Sequence, residues 1–414
     1  MRIKEAIFIV IVFLASAAGF FAVLPESRAY QALVESAKIN APFLLLSILM
    51  SLTLRNANEH LLPVSAALTS MGMINLYQIK PVYYEMQLRN LYASFLVILI
   101  VSVAMRRIRD VFSYKYIFGV LSIIFFLSPI FFGKEIYGAR LWVSLFGISF
   151  QPAEIARIFF FIFLSGYFGE HIMLLERRSG LTLKTQLIYL IPVILMTLFS
   201  LLSLVVVKDL GYSFLLLSTL LAAIYIAGAR RIYIVSSLLF FAAGTYGAYH
   251  IFSHVRSRID AWLNPWKYAY GKSFQVLQAV FAYAEGGITG RGLSHGFPQL
   301  IPAAHTDMVL PVFAESTGFL GTVLVVSTIA LISIMLFGEA AKIKDARGKI
   351  FLSLSGFSFF FQSFLVAAGS MLLLPLTGLT IPFFSYGGSS LLGSLLTLYI
   401  CLDISSRRGK WIVT

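Results

Sequence analysis

Apolar stretches long enough to cross a bilayer, for which an α-helix needs about 20 residues, recur along the whole of this 414-residue chain. They run near 6–24, 41–54, 61–79, 91–105, 116–132 and 155–174 in the first half. The second half adds 187–207, 212–229, 232–251, 308–337, 350–374 and 383–402. Twelve spans are therefore expected, the second and fourth of them short or weakly bounded. A β-barrel would show residue-by-residue alternation in place of continuous apolar runs. The expected fold class is all-α: a polytopic membrane protein with about 12 transmembrane helices and one long extracytoplasmic loop.

Composition agrees. Hydrophobic residues make up 59% and charged residues 12% of the chain, against about 45–50% and 25% in soluble domains. A soluble globular enzyme, a disordered chain and a collagen-like repeat are excluded. A single cysteine, Cys401, excludes a disulfide framework and any Cys-based zinc site. The formal charge of +14, from 32 Lys and Arg against 18 Asp and Glu, suits basic cytoplasmic loops facing anionic membrane lipids. No basic stripe with interleaved aromatics suggests a nucleic-acid partner.

The basic residues test the span count independently. With the N-terminus inside, alternate loops should hold the clusters. They do: Arg106, Arg107 and Arg109; Arg177 and Arg178; Arg230 and Arg231; Lys342, Lys344, Arg347 and Lys349; then Arg407, Arg408 and Lys410. Both termini are thus expected in the cytoplasm. Residues 1–24 also fit a cleaved signal peptide, but cleavage would invert this pattern, and a retained first helix is favoured.

Two outward connections are long. The first, 133–154, contains Arg140, Trp142 and Glu154; the second, 252–306, runs 55 residues. Loops of that length in compact proteins are functional or disordered, and the apolar content here argues against disorder. Within it, 274–281 reads as a short helix at the membrane interface, broken afterwards by Gly286, Gly287, Gly290 and Gly292.

Ionisable side chains at or inside spans are costly, and are functional candidates by default. Glu154 and Arg157 stand three apart, on one helix face. Lys208 and Asp209 interrupt the apolar run between the seventh and eighth spans. Asp307 opens the tenth span after His305 and Thr306, and Glu315 lies about two turns further along the same face. All but Glu315 fall near the outer interface, which implies a polar site open to the outer leaflet. Structural ion pairing is the competing reading for Glu154–Arg157 and Glu315, and it weighs least for Asp307. A second anomaly is 375–390, where Pro375 and Pro382 bracket a turn that leads through Ser385, Tyr386, Gly387 and Gly388 into the last span. Small residues there allow close helix packing, and amides at a helix start can hold an anion.

Several ordered blocks together carry a resemblance. They are Ala139-Arg140-Leu141-Trp142, then Gln151-Pro152-Ala153-Glu154-Ile155-Ala156-Arg157, then Asp209-Leu210-Gly211. Asn264-Pro265-Trp266 and Gln278 follow, with Gly286-Gly287-Ile288-Thr289-Gly290-Arg291-Gly292, His305-Thr306-Asp307 and the 375–390 stretch. In order and spacing they resemble the SEDS family (shape, elongation, division and sporulation) of the RodA, FtsW and SpoVE type. The family core has ten spans, so residues 1–60 look like an N-terminal addition and 61–414 like the core. Four positions depart from the family pattern: Asn264 for the usual Asp, Lys208 for a frequent Pro, Arg157 for Lys, and Val366 for a common Asn.

The resemblance implies a peptidoglycan glycosyltransferase of the bacterial cytoplasmic membrane. It would join lipid II, a disaccharide-pentapeptide on undecaprenyl pyrophosphate, into glycan strands on the outer face. A class B penicillin-binding protein would cross-link them. By the same match Asp307 is the catalytic acidic residue, and Gln278, His305, Ser385 and Tyr386 belong to the substrate site. The chemistry stands beside the resemblance. Pyrophosphate is already a good leaving group, so the two-carboxylate arrangement of glycosidases is not required. One base must take a proton from the acceptor hydroxyl, and positive charge must meet the departing diphosphate. Asp307 is the candidate base. Arg140, Arg157, Arg256, Arg258 and Lys272 are candidate clamps, with Glu154 shaping the headgroup site. Trp142 suits either a sugar face or an interface anchor. A bridging divalent cation, Mg2+ or Mn2+, is an open alternative to an all-protein clamp. The competing functional classes are a lipid II flippase and a non-catalytic scaffold.

Overall fold

The computed structural model describes residues 3–24, 29–54, 56–108, 110–136, 139–145, 147–175, 182–228 and 231–407. Of the basic clusters, Arg109, Arg177, Arg178, Arg230, Arg408 and Lys410 lie outside the described residues. The first helices are α1 (Ile3–Val23), α2 (Ala29–Thr53), α3 (Leu61–Ile79), α4 (Pro81–Arg107) and α5 (Lys115–Phe132). Three strands follow: β1 (Gly133–Ile136), β2 (Ala139–Leu145) and β3 (Ile148–Phe150). Next come α6 (Pro152–Leu175), α7 (Leu183–Val206), α8 (Leu210–Ile226) and α9 (Arg231–Ile251). The long loop holds α10 (Ser253–Leu263) and α11 (Phe274–Gly286). The chain ends in α12 (Val309–Lys342), α13 (Ala346–Ser370) and α14 (Gly388–Ser406).

Every expected span is a helix, and ten of these, among the described residues, are long and apolar enough to cross a membrane. The other two are α3 and α8. Ser65, Thr69, Ser70, Asn75 and Gln78 make α3 more polar than a typical span, and α8 has only 17 residues. The total of about 12 therefore rests on two helices of different character from the rest. The sheet was not expected. It is antiparallel, in the order β1-β2-β3, with Trp142 opposite Lys134 and Val143 opposite Phe150.

The chain forms two compact units. One comprises Met1–Val103, Ala261–Met335 and Phe359–Arg407; the other is chiefly Ala104–Asp260 and Leu336–Ser358. In the first unit, α1 is tied to α2 by buried polar groups: Ser36 Oγ donates to Phe13 O at 2.7 Å, and Asn40 Nδ2 to Ser16 Oγ at 3.1 Å. Tyr84 Oη of α4 donates to Glu35 Oε2 of α2 at 2.7 Å, so the N-terminal helices are knitted into this unit. In the second unit the interruption at Lys208 and Asp209 is a helix start. Asp209 caps α8 by accepting from Tyr212 N at 3.0 Å, which satisfies one of the amides a helix N-terminus leaves open.

The long loop is built onto α12. That helix breaks at Gly318, whose φ of +70° is non-helical. Across the break run four backbone hydrogen bonds: Arg291 N to Glu315 O at 2.9 Å, Gly292 N to Ser316 O at 3.0 Å, Phe319 N to Gly287 O at 2.9 Å and Leu320 N to Ile288 O at 3.2 Å. Glu315, the fourth acidic candidate, accepts Phe297 N on its carboxylate at 3.1 Å. Its role in the fold is to hold this loop. The close approach demands glycine at two places. A Cβ at Gly290 would sit 2.3 Å from Ser316 O, and one at Gly318 2.4 Å from Ile288 O. Both residues also have positive φ, +81° and +70°, where a side chain is strained.

Gly290→Ala and Gly318→Ala should therefore each destabilise the detergent-purified chain by about 1–3 kcal/mol, while Gly338→Ala, with nothing within 4 Å, should be neutral. Thermal unfolding followed by size-exclusion chromatography checks this; equal midpoints for all three would refute the tight approach.

Candidate active site

Asp307 sits half-buried immediately before α12. Its carboxylate accepts Thr306 Oγ1 on Oδ1 at 2.8 Å and Gln275 Nε2 on Oδ2 at 3.2 Å. Both partners are donors, matching the acceptor-only character of an ionised carboxylate. The turn that presents it depends on Ala303, at φ +53°, whose carbonyl accepts Thr306 N at 3.1 Å and Met308 N at 3.3 Å. Gln275 is placed by packing. The apolar face of α11, with Val276, Ala279 and Ala282, joins Ile301, Ala304, Met308 and Val312 in one buried cluster. That cluster sets the first turn of α11 against the residues that precede α12.

Next to Asp307 stands an aromatic wall. The His305 ring stacks on Tyr83 with centroids 4.1 Å apart and 6° between planes. Tyr386 lies 5.4 Å from His305 and 5.7 Å from Tyr83. The 375–390 stretch reaches this wall through its backbone, Tyr386 N donating to His305 O at 2.9 Å. Gln87 of α4 holds the same stretch from the other side: Nε2 donates to Ser385 O at 3.2 Å and Oε1 accepts Gly387 N at 3.1 Å. Ser385 itself is buried, and its hydroxyl accepts Ile381 N at 2.8 Å; it shapes the turn. Gln278 stands one turn along α11 from Gln275, half-buried. Lys272 is exposed, its ammonium 5.5 Å over the Tyr268 ring.

The remaining candidates belong to the second unit. Glu154 and Arg157 pair with each other at 2.9 Å, with only 1% and 3% of their side chains exposed. Removing one member of such a buried pair costs about 3–5 kcal/mol, so the pair holds α6 in its surroundings whatever else it does. Arg256 donates to Tyr249 O at 3.2 Å and His250 O at 2.9 Å, closing the C-terminal end of α9. Arg140, more than half exposed, lies 3.5 Å from Glu135. Trp142 is half-buried on β2. Asp209 is buried and accepts Gln151 Nε2 at 3.4 Å in addition to its capping bond. Burial pushes its carboxyl up to about 6 against the opposing pull of the Tyr212 amide and Arg258.

Residues 59–410 match the model of the family described as cell cycle protein, of FtsW, RodA and SpoVE type. The chain belongs to this family. Its relatives include the peptidoglycan glycosyltransferase RodA of Mycobacterium tuberculosis, 34% identical over 368 residues, which cover 83% of this chain and 77% of that one. RodA of Mycobacterium leprae is 30% identical over 365 residues, with the same coverage. Among solved structures, a peptidoglycan synthase complex that coordinates polymerization and crosslinking matches with a TM-score of 0.69 at 25% identity, over 85% of this chain and 98% of that one. The rod shape determining protein RodA of Thermus thermophilus matches with a TM-score of 0.63, at the same identity and coverage. With ten apolar helices long enough to span, this FtsW/RodA/SpoVE protein is a multi-pass bacterial membrane protein.

Sequence reasoning about this family member singled out Asp307 and His305 but not their neighbours Gln275 and Tyr83. Gln275 and Gln278, three apart on an otherwise apolar helix, carry a signal of a shared polar face. Tyr83, distant in the chain, carries none. His305 also has a testable electrostatic property. Burial first, and then the Lys80 ammonium, lower its affinity for a proton below the ordinary value of 6.5. The folded chain thus binds fewer protons than the unfolded one in the window just below that value, and there stability rises with pH. Lys80→Met should move the His305 midpoint upward in an NMR titration. An unmoved midpoint would show that the ring does not feel Lys80.

Proposed function

We propose that this chain is a peptidoglycan glycosyltransferase that polymerises lipid II on the outer face of the bacterial cytoplasmic membrane, with both termini inside and Asp307 as general base. The observation that carries the reading is the Asp307 carboxylate, held by two donors beside an aromatic wall. The acceptor sugar hydroxyl attacks the anomeric carbon of the donor, and its proton passes to Asp307. The bond from that carbon to the diphosphate oxygen breaks, undecaprenyl pyrophosphate leaves, and the anomeric centre inverts. Gln275 and Thr306 fix the carboxylate during the step; general-base catalysis contributes about 10²–10⁴-fold. The His305–Tyr83–Tyr386 wall offers flat faces for a sugar ring.

Among the described residues no group of three or more His, Cys, Asp or Glu side chains could hold a metal ion. A divalent cation in this reaction is accordingly assigned to the diphosphate oxygens of the substrate, not to a protein cage. The partner is a class B penicillin-binding protein; the match to a complex that couples polymerization with crosslinking supports this.

Purified, folded Asp307→Asn should lose at least 100-fold in polymerisation of labelled lipid II, assayed with the cross-linking partner present. Gln275→Leu should lose about tenfold through misplacement of the base. Near-normal polymer from Asp307→Asn would remove the assignment. Translocation of lipid II in liposomes without polymer would favour a flippase, and neither activity a scaffold.

A further inference from the structure

A second charged feature lies within the unit that holds the β-sheet, and the reaction step above does not use it. A cleft of about 200 Å³ is lined by Ile130, Glu135, Arg140, Val206, Val207 and Lys208. Its walls divide by chemistry. Ile130, Val206 and Val207 come from the ends of α5 and α7 and are apolar, whereas Arg140 and Lys208 are cations. The backbone fixes their proximity, since Arg140 N donates to Val207 O at 3.4 Å.

Lys208 is the unusual member. It stands at φ +67°, a conformation that glycine accepts and that costs a residue with a Cβ about 1–2 kcal/mol. It is also a departure from the resembled family's pattern, which often has Pro here. Strain of this kind persists where the surrounding structure over-determines it, and it clusters at ligand clamps. The local charge balance favours an anion. Lys208 and Arg258 both lower the proton affinity of His254, after burial, which acts first. The Nε2 atom of His254 is buried without a hydrogen-bond partner. Of the two nearby acids, Asp209 is buried and engaged with Tyr212 and Gln151. The other, Glu135, meets Arg140 at 3.5 Å with 53% and 56% of the two side chains exposed; a pair so exposed is worth little and opens readily to a stronger anion.

We propose that this cleft binds the diphosphate of a polyprenyl lipid, Arg140 and Lys208 contacting the phosphate oxygens and the Ile130–Val206–Val207 wall receiving the first isoprene unit. The proposal rests on the reading of the chain as an enzyme of a lipid diphosphate. It goes further in assigning a cation outside the family pattern to that headgroup. Guanidinium and ammonium suit the diphosphate differently, Arg140 as a two-pronged donor and Lys208 as a point charge.

The test uses the full chain in phosphatidylcholine nanodiscs, titrated with farnesyl pyrophosphate, inorganic pyrophosphate and, in a third arm, phosphatidylglycerol as competitor. Farnesyl pyrophosphate should bind more tightly than inorganic pyrophosphate and resist the competitor. Lys208→Gly suits the positive φ and removes only the charge, so it should fold well and weaken farnesyl pyrophosphate about tenfold, as should Arg140→Gln. Lys208→Asn, which also tolerates this backbone, should reproduce the loss. Unchanged affinity in both Lys208 variants overturns the proposal. Equal affinity for the free and lipid-borne diphosphate overturns it as well, and so does equal competition by phosphatidylglycerol, which would mark an ordinary headgroup site. Asp307→Asn separates the two readings. If it retains farnesyl pyrophosphate binding while polymerisation is lost, the base assignment stands independently of the cleft.

Discussion

Backbone polarity governs how α12 can break. In hydrocarbon an unsatisfied amide or carbonyl costs several kcal/mol, so an irregular segment survives only where other protein groups meet it. The break at Gly318 is met by the loop that follows α11: four backbone bonds link residues 287–292 to residues 315–320. That repair fixes the end of α11, and the buried cluster of Val276, Ala279, Met308 and Val312 fixes its body. Only then does Gln275 arrive at 3.2 Å from Asp307. The placement of one carboxylate oxygen therefore descends from a hydrogen-bonding constraint about ten residues further along the chain. Glu315 serves that constraint rather than the chemistry, for its carboxylate faces the Phe297 amide.

The two acids that open helices illustrate how surroundings assign roles. Glu154, in the first turn of α6, is sealed against Arg157 with almost no exposure, and a charge buried in that way needs its partner. Asp307 is half-buried and faces neutral donors. Neutral donors hold a carboxylate in place without neutralising it, which leaves its basicity available to a substrate hydroxyl. A base locked to an arginine would have to give up that pair before it could accept a proton.

The long helices were legible because apolar length is a local property: each run of about 20 residues reports its own environment. α3 shows the limit of that signal, since Asn75 and Ser70 look like errors in a span until Asn75 Nδ2 is seen donating to Val309 O at 3.1 Å. The strands of 3 to 7 residues are too short for alternation to register. For Glu154 and Arg157 the three-residue spacing established a common helix face, yet the same face is compatible with a substrate site or with a mutual pair; burial by neighbouring helices distinguishes them, and no single-helix pattern encodes it. Asp307 was visible through its setting after His305 and Thr306. Its other neighbours, Gln275 and Tyr83, come from remote segments joined by packing, and Tyr83 in particular has no local signature.

Arg157 and Lys208 are both departures from the family pattern, and their contrast bears on what a basic substitution can mean in a membrane protein. Arg157 for Lys conserves charge and is absorbed by a buried partner at 2.9 Å, so it changes the geometry of an existing pair. Lys208 adds a charge, at an exposed position with left-handed backbone and beside two other cations, Arg140 and Arg258. Repulsion among cations and the strained φ both work against it in the free protein. Neither penalty is relieved by Glu135, which is shared with Arg140 in a loose, exposed pair. A multivalent anion would relieve the repulsion at once, because a diphosphate presents several acceptors to cations a few ångströms apart. The residues that destabilise the free cleft are thus the ones that would stabilise the loaded one.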